Sequence, residues 1–501
     1  MNKEIHTALI SVFHKDGLDE IVKLLNSKGV KIYSTGGTSK FIKELGVPVT
    51  EVEELTGFPA IFDGRVKTLH PAIAGGILKI RGNVIHEEEA KKHNIPEIDL
   101  VIVDLYPFEE TILSGASDEE IIEKIDIGGI ALIRAGAKNL NDVVIIPSVH
   151  QYASLLEILK GGDTTTIAER KRFAGNAFEV TSMYDTAIRG YFQGTILRYG
   201  ENPHQSGMFV GDMSKAFTIA QGKELSYNNL LDTDAAVRLI KDFNTPAFAI
   251  LKHTNACGCA TGQGLPAQAG DTLTLLKSAY TADPVSAFGG ILVTNQEITE
   301  KVAKYLVEEI KLFFEILIAP SFTSEALTIL QKKEDVRVLK LKDFEIPKKE
   351  IRTALTGLLV QDRDIQVDSK DNFTVVTKRL PTETELEDMV IGATIAKHLK
   401  SNCVVIVKDG SMVTMGAGQV SRVDALKNAL EKAKGFGLDV SGGILASEAF
   451  LPFPDCVEIA GSVGVTAVVQ PGGSKKDQLS IDKADELGMA MVTTGFRHFK
   501  H

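Results

Sequence analysis

The chain contains no tryptophan and only four cysteines among its 501 residues. Cysteines this sparse do not form the disulfide scaffold on which small secreted proteins rely. His253, Cys257 and Cys259 lie close together in the sequence, but no Cys-x-x-Cys pair or second cluster completes a zinc site with them. We therefore expect a protein of a reducing compartment that carries no catalytic metal.

Long apolar runs and a positive net charge are also missing. No run approaches the roughly 20 apolar residues of a membrane-spanning helix, and residues 1–6 lack the apolar core of a signal peptide. The formal net charge of −11 argues against nucleic acid as a partner, although local clusters of lysine and arginine can still bind small anions. These features predict a cytoplasmic protein, and the length predicts about two to four domains.

The first third of the chain alternates short apolar strands with amphipathic helices. Strands are predicted at residues 8–13, 30–33, 100–105 and 143–146. Such an alternation predicts a parallel sheet of Rossmann type. A long helix is predicted over residues 173–192, with a domain boundary directly after it.

A glycine-rich loop, Ser34-Thr35-Gly36-Gly37-Thr38, follows the second predicted strand. Its glycines permit close approach of a ligand to the backbone, its hydroxyls donate hydrogen bonds, and the next helix begins at the loop. Lys15, which follows the first strand, would add a positive charge. The loop lacks the spacing and the lysine of a P-loop. It is interpreted as a phosphate site or as a simple turn, and the sequence alone does not decide between the two.

A second candidate site lies where the apolar run of residues 247–251 ends in Lys252 and His253. The run predicts a buried strand, and open α/β sheets bind ligands at the carboxyl ends of their strands. Lysine offers a point charge with three donors, and histidine can carry a proton near neutral pH. Residues 254–258 predict a turn that aims both side chains at one ligand. The alternative is a strand that ends in solvent with two unrelated polar residues.

The C-terminal two thirds contain a faint internal repeat. Gly289-Gly290-Ile291-Leu292 and Gly442-Gly443-Ile444-Leu445 are each followed by a predicted helix and then by a strand that ends at a proline. Lys252-His253 and Ser401-Asn402 lie upstream in the two halves and are predicted to correspond. We interpret the repeat as a duplication, with the charged stretch of residues 332–349 and the polar stretch of residues 361–372 as connections between the halves.

Several longer motifs run through the chain. They are Arg65-Val66-Lys67-Thr68-Leu69-His70-Pro71, Asp126-Ile127-Gly128-Gly129, Arg198-Tyr199-Gly200-Glu201-Asn202-Pro203-His204-Gln205, Lys252-His253, Gln470-Pro471-Gly472-Gly473-Ser474 and the segment from Thr494 to His501. In this order they resemble a family of bifunctional purine-biosynthesis enzymes, in which phosphoribosylaminoimidazolecarboxamide formyltransferase is joined to IMP cyclohydrolase. The resemblance extends nearly from end to end.

The resemblance implies an α/β protein with an N-terminal methylglyoxal-synthase-like domain of Rossmann type and two cytidine-deaminase-like domains. The implied boundaries are 1–195 for the cyclohydrolase with its connecting helix, and 196–365 and 366–501 for the two formyltransferase subdomains. The chain lacks the paired His-x-Glu and Pro-Cys-x-x-Cys motifs of a zinc deaminase, so that only the fold would be shared. The family also implies a homodimer with its transferase sites between subunits.

The implied first activity transfers a formyl group from 10-formyltetrahydrofolate to the amine of aminoimidazole carboxamide ribotide. By resemblance, His253 moves the proton, while Lys252 and Asn402 stabilise charge on the formyl oxygen. The matched ribotide-binding residues are Arg198, Tyr199, Gly289, Glu315, Arg422, Phe450 and Arg497. The matched folate-side residues are Val423, Asp455 and Ser474.

The implied second activity closes the ring with loss of water and yields IMP. By resemblance, Lys67 and Tyr106 stabilise the oxyanion, while Asp126 and Lys138 handle protons at the amide. The matched nucleotide-binding residues are Lys15, Thr35, Gly36, Gly37, Thr38, Arg65, Thr68, Asp104 and Ile127.

In the first third of the chain, three substitutions depart from the family pattern, and those at residues 13 and 16 lie near the implied phosphate. Phe13 replaces a hydroxyl residue, Asp16 adds a negative charge, and Asp104 replaces a frequent asparagine. Two other hypotheses therefore stay open. One is an enzyme that has kept the transfer and lost the ring closure, and the other is a nucleotide-responsive regulator that has lost both. The retained lysines and His253 weigh against the regulator, because a sensor needs no proton carriers.

Overall fold

The computed structural model describes residues 2–162, 164–262 and 271–501. The chain divides into two compact units, Met1–Gly194 (unit 1) and Thr195–His501 (unit 2). The assignment of a separate activity to each unit stays a prediction, as does the division of the second at residue 365.

Unit 1 is built on a sheet whose strands are all parallel, as the strand–helix alternation predicts. It has five strands in the order β4-β3-β2-β5-β6, and the short β4 was not predicted. Its central strands are buried on both faces, which explains their continuous apolar sequences. The strands are β1 Lys3–Glu4, β2 Thr7–Val12, β3 Lys31–Ser34, β4 Thr50–Glu51, β5 Leu100–Asp104, β6 Val144–Ile146 and β7 Thr164–Thr165.

Ten helices cover the described part of unit 1. They are α1 Leu18–Ser27, α2 Gly36–Glu44, α3 Val52–Thr56, α4 Pro71–Leu78, α5 Val84–Lys92, α6 Phe108–Leu113, α7 Asp118–Glu123, α8 Gly128–Lys138, α9 Tyr152–Gly161 and α10 Ile167–Gln193. The last begins earlier than the predicted residue 173, because Thr166 and Glu169 form a capping box at its start.

Unit 2 contains one twelve-stranded sheet, with the order β10-β15-β14-β13-β11-β12-β20-β19-β21-β22-β23-β18, and two separate hairpins, β8–β9 and β16–β17. The strands are β8 Gly194–Leu197, which starts at the unit boundary, β9 Gly207–Val210, β10 Phe217–Gln221, β11 Ala247–Lys252, β12 Asn255–Thr261, β13 Gly290–Thr294, β14 Phe314–Ala319, β15 Arg337–Leu341, β16 Lys349–Ala354, β17 Gly357–Asp362, β18 Thr374–Val375, β19 Val404–Lys408, β20 Ser411–Gly416, β21 Ile444–Ser447, β22 Ala467–Gln470 and β23 Ala490–Thr493.

The helices of unit 2 pack on both faces of this sheet, where three clusters of buried apolar residues form the core. They are α11 Tyr227–Lys241, α12 Thr272–Ala282, α13 Glu300–Lys304 with the π-helical turn Tyr305–Glu309, α14 Ser324–Leu330, α15 Glu383–His398, α16 Arg422–Gly435, α17 Asp455–Ser462 and α18 Asp477–Glu486. Among the described residues, no helix combines the length and the apolar character that crossing a membrane requires.

The large sheet consists of two halves with the same strand order, which confirms the predicted duplication. Counted outward from the centre, β12-β11-β13-β14-β15-β10 of the first half correspond to β20-β19-β21-β22-β23-β18 of the second. The correspondence also corrects one prediction. Lys252-His253, at the end of β11, matches Lys408-Asp409 at the end of β19, and not Ser401-Asn402. The stretch of residues 332–349 is likewise no simple connection, because it contains β15.

The strand that ends at Lys252 is buried, as predicted, and lies antiparallel to both of its neighbours, so the rule for ligands at the carboxyl ends of parallel strands does not apply to it. The predicted turn at residues 254–258 is wrong, because β12 begins at Asn255 and only two residues form the turn. The glycine at position 258 is explained by the close packing of α12 on β12. A Cβ atom at Gly258 would lie 2.0 Å from the carbonyl oxygen of Ala279 in α12, so glycine alone fits there.

Candidate active sites

The loops that follow the parallel strands of unit 1 enclose a cavity of about 620 Å³. A cavity of this size suits a small-molecule ligand. Eleven of the residues predicted for the cyclohydrolase site line it: Lys15, Thr35, Gly37, Thr38, Arg65, Lys67, Thr68, Asp104, Tyr106, Asp126 and Ile127. The lining also contains Phe13, Gly128 and Gly129, which belong to segments named in the sequence analysis, and seven residues that were not assigned to a site: Ser11, Val12, Asp63, Gly64, Ile122, Glu123 and Ile125.

Hydroxyl groups and Lys15 shape the end of the cavity at the glycine-rich loop. The Thr38 hydroxyl donates to the carbonyl of Val12 at 2.9 Å, and the Ser11 and Thr35 hydroxyls lie 3.1 Å apart. Lys15 Nζ donates to the carbonyls of Val12 and Phe13 at 2.5 and 2.7 Å. Burial lowers the pKa of Lys15, and the Asp104 charge opposes this effect. Two of the three Nζ donors are thus engaged, and the third remains for an anion.

Lys67, Asp126 and Tyr106 lie in the same cavity. Asp126 caps the start of α8 through a 2.6 Å hydrogen bond from the N–H of Gly129. Burial nevertheless raises the pKa of Asp126, and the Lys67 charge opposes the rise. Burial also raises the pKa of Tyr106, helped by Asp126 and Glu123. A half-buried carboxyl in the same cavity as a lysine and a phenol is suited to proton transfer.

The structure does not bring every predicted residue to this cavity. Lys138 is exposed at the C-terminal end of α8, whose N-terminal glycines line the cavity about 15 Å away. Gly36 is outside the lining, although a Cβ atom on it would lie 3.9 Å from Lys67 Nζ. The catalytic role of Lys138 stays a prediction. Asp16, expected to add charge near a phosphate, is exposed and also lies outside the lining.

The other two departures from the family pattern are coupled to their surroundings. Phe13 packs edge-to-face on Tyr106, with ring centroids 5.6 Å apart. Lys124 Nζ lies over both rings. The Asp104 carboxylate accepts hydrogen bonds from the N–H and from Nδ1 of His14, both at 2.8 Å. Phe13 and Asp104 therefore both make side-chain contacts at the cavity wall that they line.

The second candidate site lies in the turn between β11 and β12. His253 and Thr254 both have left-handed backbones, with φ of 48° and 64°, and His253 is exposed. Lys252 Nζ donates to the carbonyls of Phe288 and Gly289 at 2.9 and 2.8 Å. The turn thus presents an exposed imidazole beside an ammonium group that keeps one donor for a ligand.

Two side chains hold this turn in place. The Asp232 carboxylate of α11 accepts a 2.7 Å hydrogen bond from the N–H of Thr254. Burial raises the pKa of Asp232, while the Thr254 N–H and the charges of His253 and Lys252 oppose the rise. The second side chain is that of Asn255, whose Nδ2 donates a hydrogen bond to the carbonyl of His253 in the turn. Its Oδ1 accepts a hydrogen bond from the backbone N–H of Lys400. The turn is therefore fixed to a helix and to a second loop.

That second loop carries Asn402, whose Nδ2 and backbone N–H both donate to the carbonyl of Gln419 at 3.0 Å. The next residue, Cys403, donates its N–H to the buried Glu448 carboxylate at 3.2 Å. Glu448 also forms a 3.2 Å ion pair with Arg422. One buried carboxylate therefore aligns the loop of Asn402 with an arginine predicted to bind the ribotide.

The remaining predicted transferase residues have the following places. Glu315 is paired with Arg337 at 2.8 Å. The guanidinium groups of Arg422 and Arg497 lie over the Phe499 ring, and that of Arg198 lies over Tyr199.

The other predicted transferase residues lie in loops and at helix starts. Gly289 follows Phe288, whose carbonyl accepts from Lys252, and Phe450 is half-buried. Val423 and Asp455 lie at the starts of α16 and α17, and the N–H of Ser474 donates to Asp477 at 2.9 Å.

Sequence reasoning missed Asp232, Asn255 and Glu448. The sequence does contain a signal for Asp232, because Asp232 and Asp388 each lie six residues after the N-cap residue of two equivalent helices, α11 and α15. No local pattern marks Glu448, whose contacts are distant in sequence. In the described residues, no three His, Cys, Asp or Glu side chains gather as metal ligands would.

Comparison with known proteins identifies the family. A family profile described as "AICARFT/IMPCHase bienzyme" matches residues 136–432, and one described as "MGS-like domain" matches residues 17–131. The "Bifunctional purine biosynthesis protein PurH" of Bacteroides thetaiotaomicron is 52% identical over 515 residues, which cover 100% of this chain and 99% of that protein. The chain belongs to this bifunctional family.

Other members of the family are similar over the same length. The chain is 44% identical to the protein of the same name from Thermoanaerobacter sp. and equally to that from Aquifex aeolicus. Each alignment covers 99% of this chain, together with 99% of the Thermoanaerobacter protein and 100% of the Aquifex protein. The solved structure titled "Crystal structure of ForH" is 28% identical and aligns with a TM-score of 0.33, over 38% of this chain and 99% of that chain. The MGS-like match lies wholly within unit 1.

Proposed function

We propose that the chain catalyses the last two steps of IMP synthesis. It transfers a formyl group from 10-formyltetrahydrofolate to the amine of aminoimidazole carboxamide ribotide, and it then closes the ring of the formylated product with loss of water. The observation that carries the proposal is the match along the whole chain to bifunctional purine-biosynthesis proteins. Unit 1 is the proposed cyclohydrolase, and unit 2, with subdomains that meet near residue 365, is the proposed formyltransferase.

In the proposed transfer, the ribotide amine attacks the formyl carbon and the bond from that carbon to the folate nitrogen breaks. His253 takes the proton that the amine loses and returns it to the leaving nitrogen. Lys252 directs its remaining donor at the oxygen that becomes negative, and Asn402 adds a second donor. This division is supported by the exposed imidazole and by the two carbonyls that hold the ammonium group.

In the proposed ring closure, the carboxamide nitrogen attacks the formyl carbon, and the resulting hydroxyl later leaves as water. Lys67 and Tyr106 stabilise the oxyanion in the unit 1 cavity. Asp126 accepts the amide proton, and its raised pKa brings it closer to the neutral range where proton transfer is efficient. Lys15 and the glycine-rich loop bind the phosphate, which agrees with the free third donor on Lys15.

The folate enters the proposed transferase as a cosubstrate. Its pterin ring is flat and carries N–H donors, so it fits a carboxylate beside aromatic side chains. Asp455 is half-buried at the start of α17, close in sequence to Phe450 and Phe453, and Lys476 Nζ lies over the Phe453 ring. The carboxylate and the aromatic rings suit the pterin, and the lysine suits its anionic tail. Val423 and Ser474 are the other proposed contacts.

The proposed assembly is a cytoplasmic homodimer with its transferase sites between subunits. The hairpin β16–β17 supports it, because a two-stranded hairpin outside the large sheet has little stability of its own. Ile351, Leu358 and Val360 share one face of this hairpin and leave 59–63% of their surface exposed in the single chain. A second copy of the chain would cover this apolar patch. Light scattering of purified protein tests the assembly, and a fully active monomer would contradict it.

A single assay tests the activities together. Purified protein is mixed with the ribotide and 10-formyltetrahydrofolate, and the products are separated by chromatography. IMP is the expected product. Accumulation of the formylated intermediate would mean that the altered loop at Phe13 has disabled ring closure, and no turnover would favour a regulatory protein.

A further inference from the structure

The side chain of Asn255 joins two loops of unit 2. Its Nδ2 donates to the carbonyl of His253 at 2.9 Å, and its Oδ1 accepts from the backbone N–H of Lys400 at 2.9 Å. One orientation of the amide satisfies both hydrogen bonds. The side chain therefore connects the turn that carries His253 with the loop that leads to Asn402.

The second half of the sheet forms the same turn without this bridge. Asp409 and Gly410 have left-handed backbones like those of the first turn, and Ser411 takes the position equivalent to Asn255. Within the described part of the chain, the Ser411 hydroxyl joins no such pair of backbone groups. The hairpin β19–β20 nevertheless forms with five paired positions. The bridge is therefore not required for the hairpin to fold.

A different contact is common to both turns. Asp232 accepts from the N–H of Thr254, and the equivalent Asp388 accepts from the N–H groups of Asp409 and Gly410 at 3.0 and 2.8 Å. Because this helix-borne carboxylate recurs in both halves, it serves the shared fold of the turn. The bridge occurs in the half that carries the imidazole, and it serves a purpose specific to that half.

We propose that Asn255 is a positioning residue for formyl transfer, which fixes the spacing between His253 and Asn402. The inference rests on the proposed function of unit 2. One of these two groups moves a proton while the other stabilises the oxygen on the same carbon, so their separation must match the tetrahedral state. Loss of the bridge lets the turn and the loop move independently. It therefore lowers kcat more than it raises KM.

The test compares Asn255→Ala with Asn295→Ala in the full-length chain. Asn295 holds the opposite end of β11 in a similar way, since its Oδ1 accepts from the N–H of Ala247 and its Nδ2 donates to the carbonyl of Thr245, both at 2.8 Å. We expect Asn255→Ala to lower kcat for formyl transfer by roughly tenfold to hundredfold. Asn295→Ala should lower the melting temperature similarly and leave kcat near the wild-type value.

A double variant separates positioning from a general loss of structure. Because Asn255 acts through His253, adding Asn255→Ala to His253→Ala should lower kcat no further. The inference is overturned if Asn255→Ala retains wild-type kcat, if Asn295→Ala lowers kcat equally, or if the two losses multiply in the double variant. Full transfer activity in His253→Ala alone is a different result, and it would contradict the proposed role of His253 itself.

Discussion

The two halves of the large sheet share a strand order and a turn, but they use the lysine before that turn differently. Lys252 Nζ donates to two neutral carbonyls, those of Phe288 and Gly289. Lys408 Nζ forms an ion pair with Asp439 at 3.0 Å. A carboxylate neutralises the charge of its lysine, whereas carbonyls orient the ammonium group and leave its charge available. The first half therefore keeps a positive charge for an oxyanion.

The duplication thus separates structural from chemical features within one chain. The carboxylates of Asp232 and Asp388 occur at equivalent places, and burial raises the pKa of both, that of Asp388 to about 6. Features that occur in one half, such as His253 in place of Asp409, are candidates for chemistry. The same backbone in the second half serves as an internal reference for each substitution in the first.

The largest expected difference between the halves comes from His253→Ala and Asp409→Ala. Both remove an exposed side chain from a left-handed position, so their backbone costs are similar. Loss of a general base lowers a rate by about 10²- to 10⁴-fold. We expect His253→Ala to lose formyl transfer to that extent and Asp409→Ala to retain it, as measured by formation of the formylated intermediate.

Ring closure of supplied formylated intermediate is the control for this pair. His253→Ala should leave that reaction intact, because the cavity in unit 1 contains no residue of the turn. Lys67→Ala should show the reverse pattern, with transfer retained and closure lost. Equal loss of both activities in a folded His253→Ala protein would contradict the assignment of two separate sites.

Much of the fold follows from the sequence because hydrophobic periodicity is a local property. The apolar runs at β2, β3, β5 and β6 predict a buried parallel sheet, and the structure contains it. The repeated Gly-Gly-Ile-Leu segments predict the duplication because both halves need a glycine at the same place. Gly289 and Gly442 each adopt a left-handed backbone just before an inner strand of the sheet.

Strand direction and long-range contacts could not be predicted in the same way. Nothing in the run at residues 247–252 distinguishes a parallel from an antiparallel strand, because burial on both faces makes either one continuously apolar. The predicted turn was longer than the observed one, because Gly258 resembles a turn residue, whereas it is a glycine because α12 packs closely against it. The roles of Asn255 and Glu448 each depend on a backbone N–H far away in the sequence, 145 residues away for Asn255 and 45 residues away for Glu448.

A second difference between the halves is a charged clamp at the end of the second. His498 is buried between Asp364 and Asp368, with its ring nitrogens at 2.6 and 3.2 Å from their carboxylates. Burial alone would lower the pKa of His498, but the two carboxylates outweigh it and raise the pKa to about 9. The clamp connects the C-terminal segment to the residues that precede β18.

This clamp predicts a pH-dependent stability. Because the folded pKa of His498 exceeds the ordinary value of 6.5, its contribution is complete below pH 6.5 and disappears as the pH rises through about 9. The shift corresponds to about 3 kcal/mol. Urea unfolding at pH 6 and pH 9.5 should show that His498→Gln reduces the difference in unfolding free energy by about this amount. An unchanged difference in the variant would mean that His498 is not the group responsible.

The smallest expected effect compares Gly289→Ala with Gly442→Ala. Both glycines have left-handed backbones, with φ of 66° and 79°, so alanine costs each about 1 kcal/mol of stability. The new Cβ atoms meet different neighbours. At position 289 it would lie 2.8 Å from Lys252 Nζ, whereas at 442 it would lie 4.0 Å from Lys408 Cε, an ordinary contact. Only the first substitution forces a lysine away from its two carbonyl acceptors.

We therefore expect Gly289→Ala to lower kcat for formyl transfer by about tenfold, the equivalent of one displaced charged hydrogen bond. Gly442→Ala should lose a similar amount of stability and keep its kcat. The measurement is steady-state kinetics of both variants together with their melting temperatures. Equal kinetic losses would show that the two halves respond alike to backbone strain, and they would remove the reason for assigning the chemistry to the lysine of the first half.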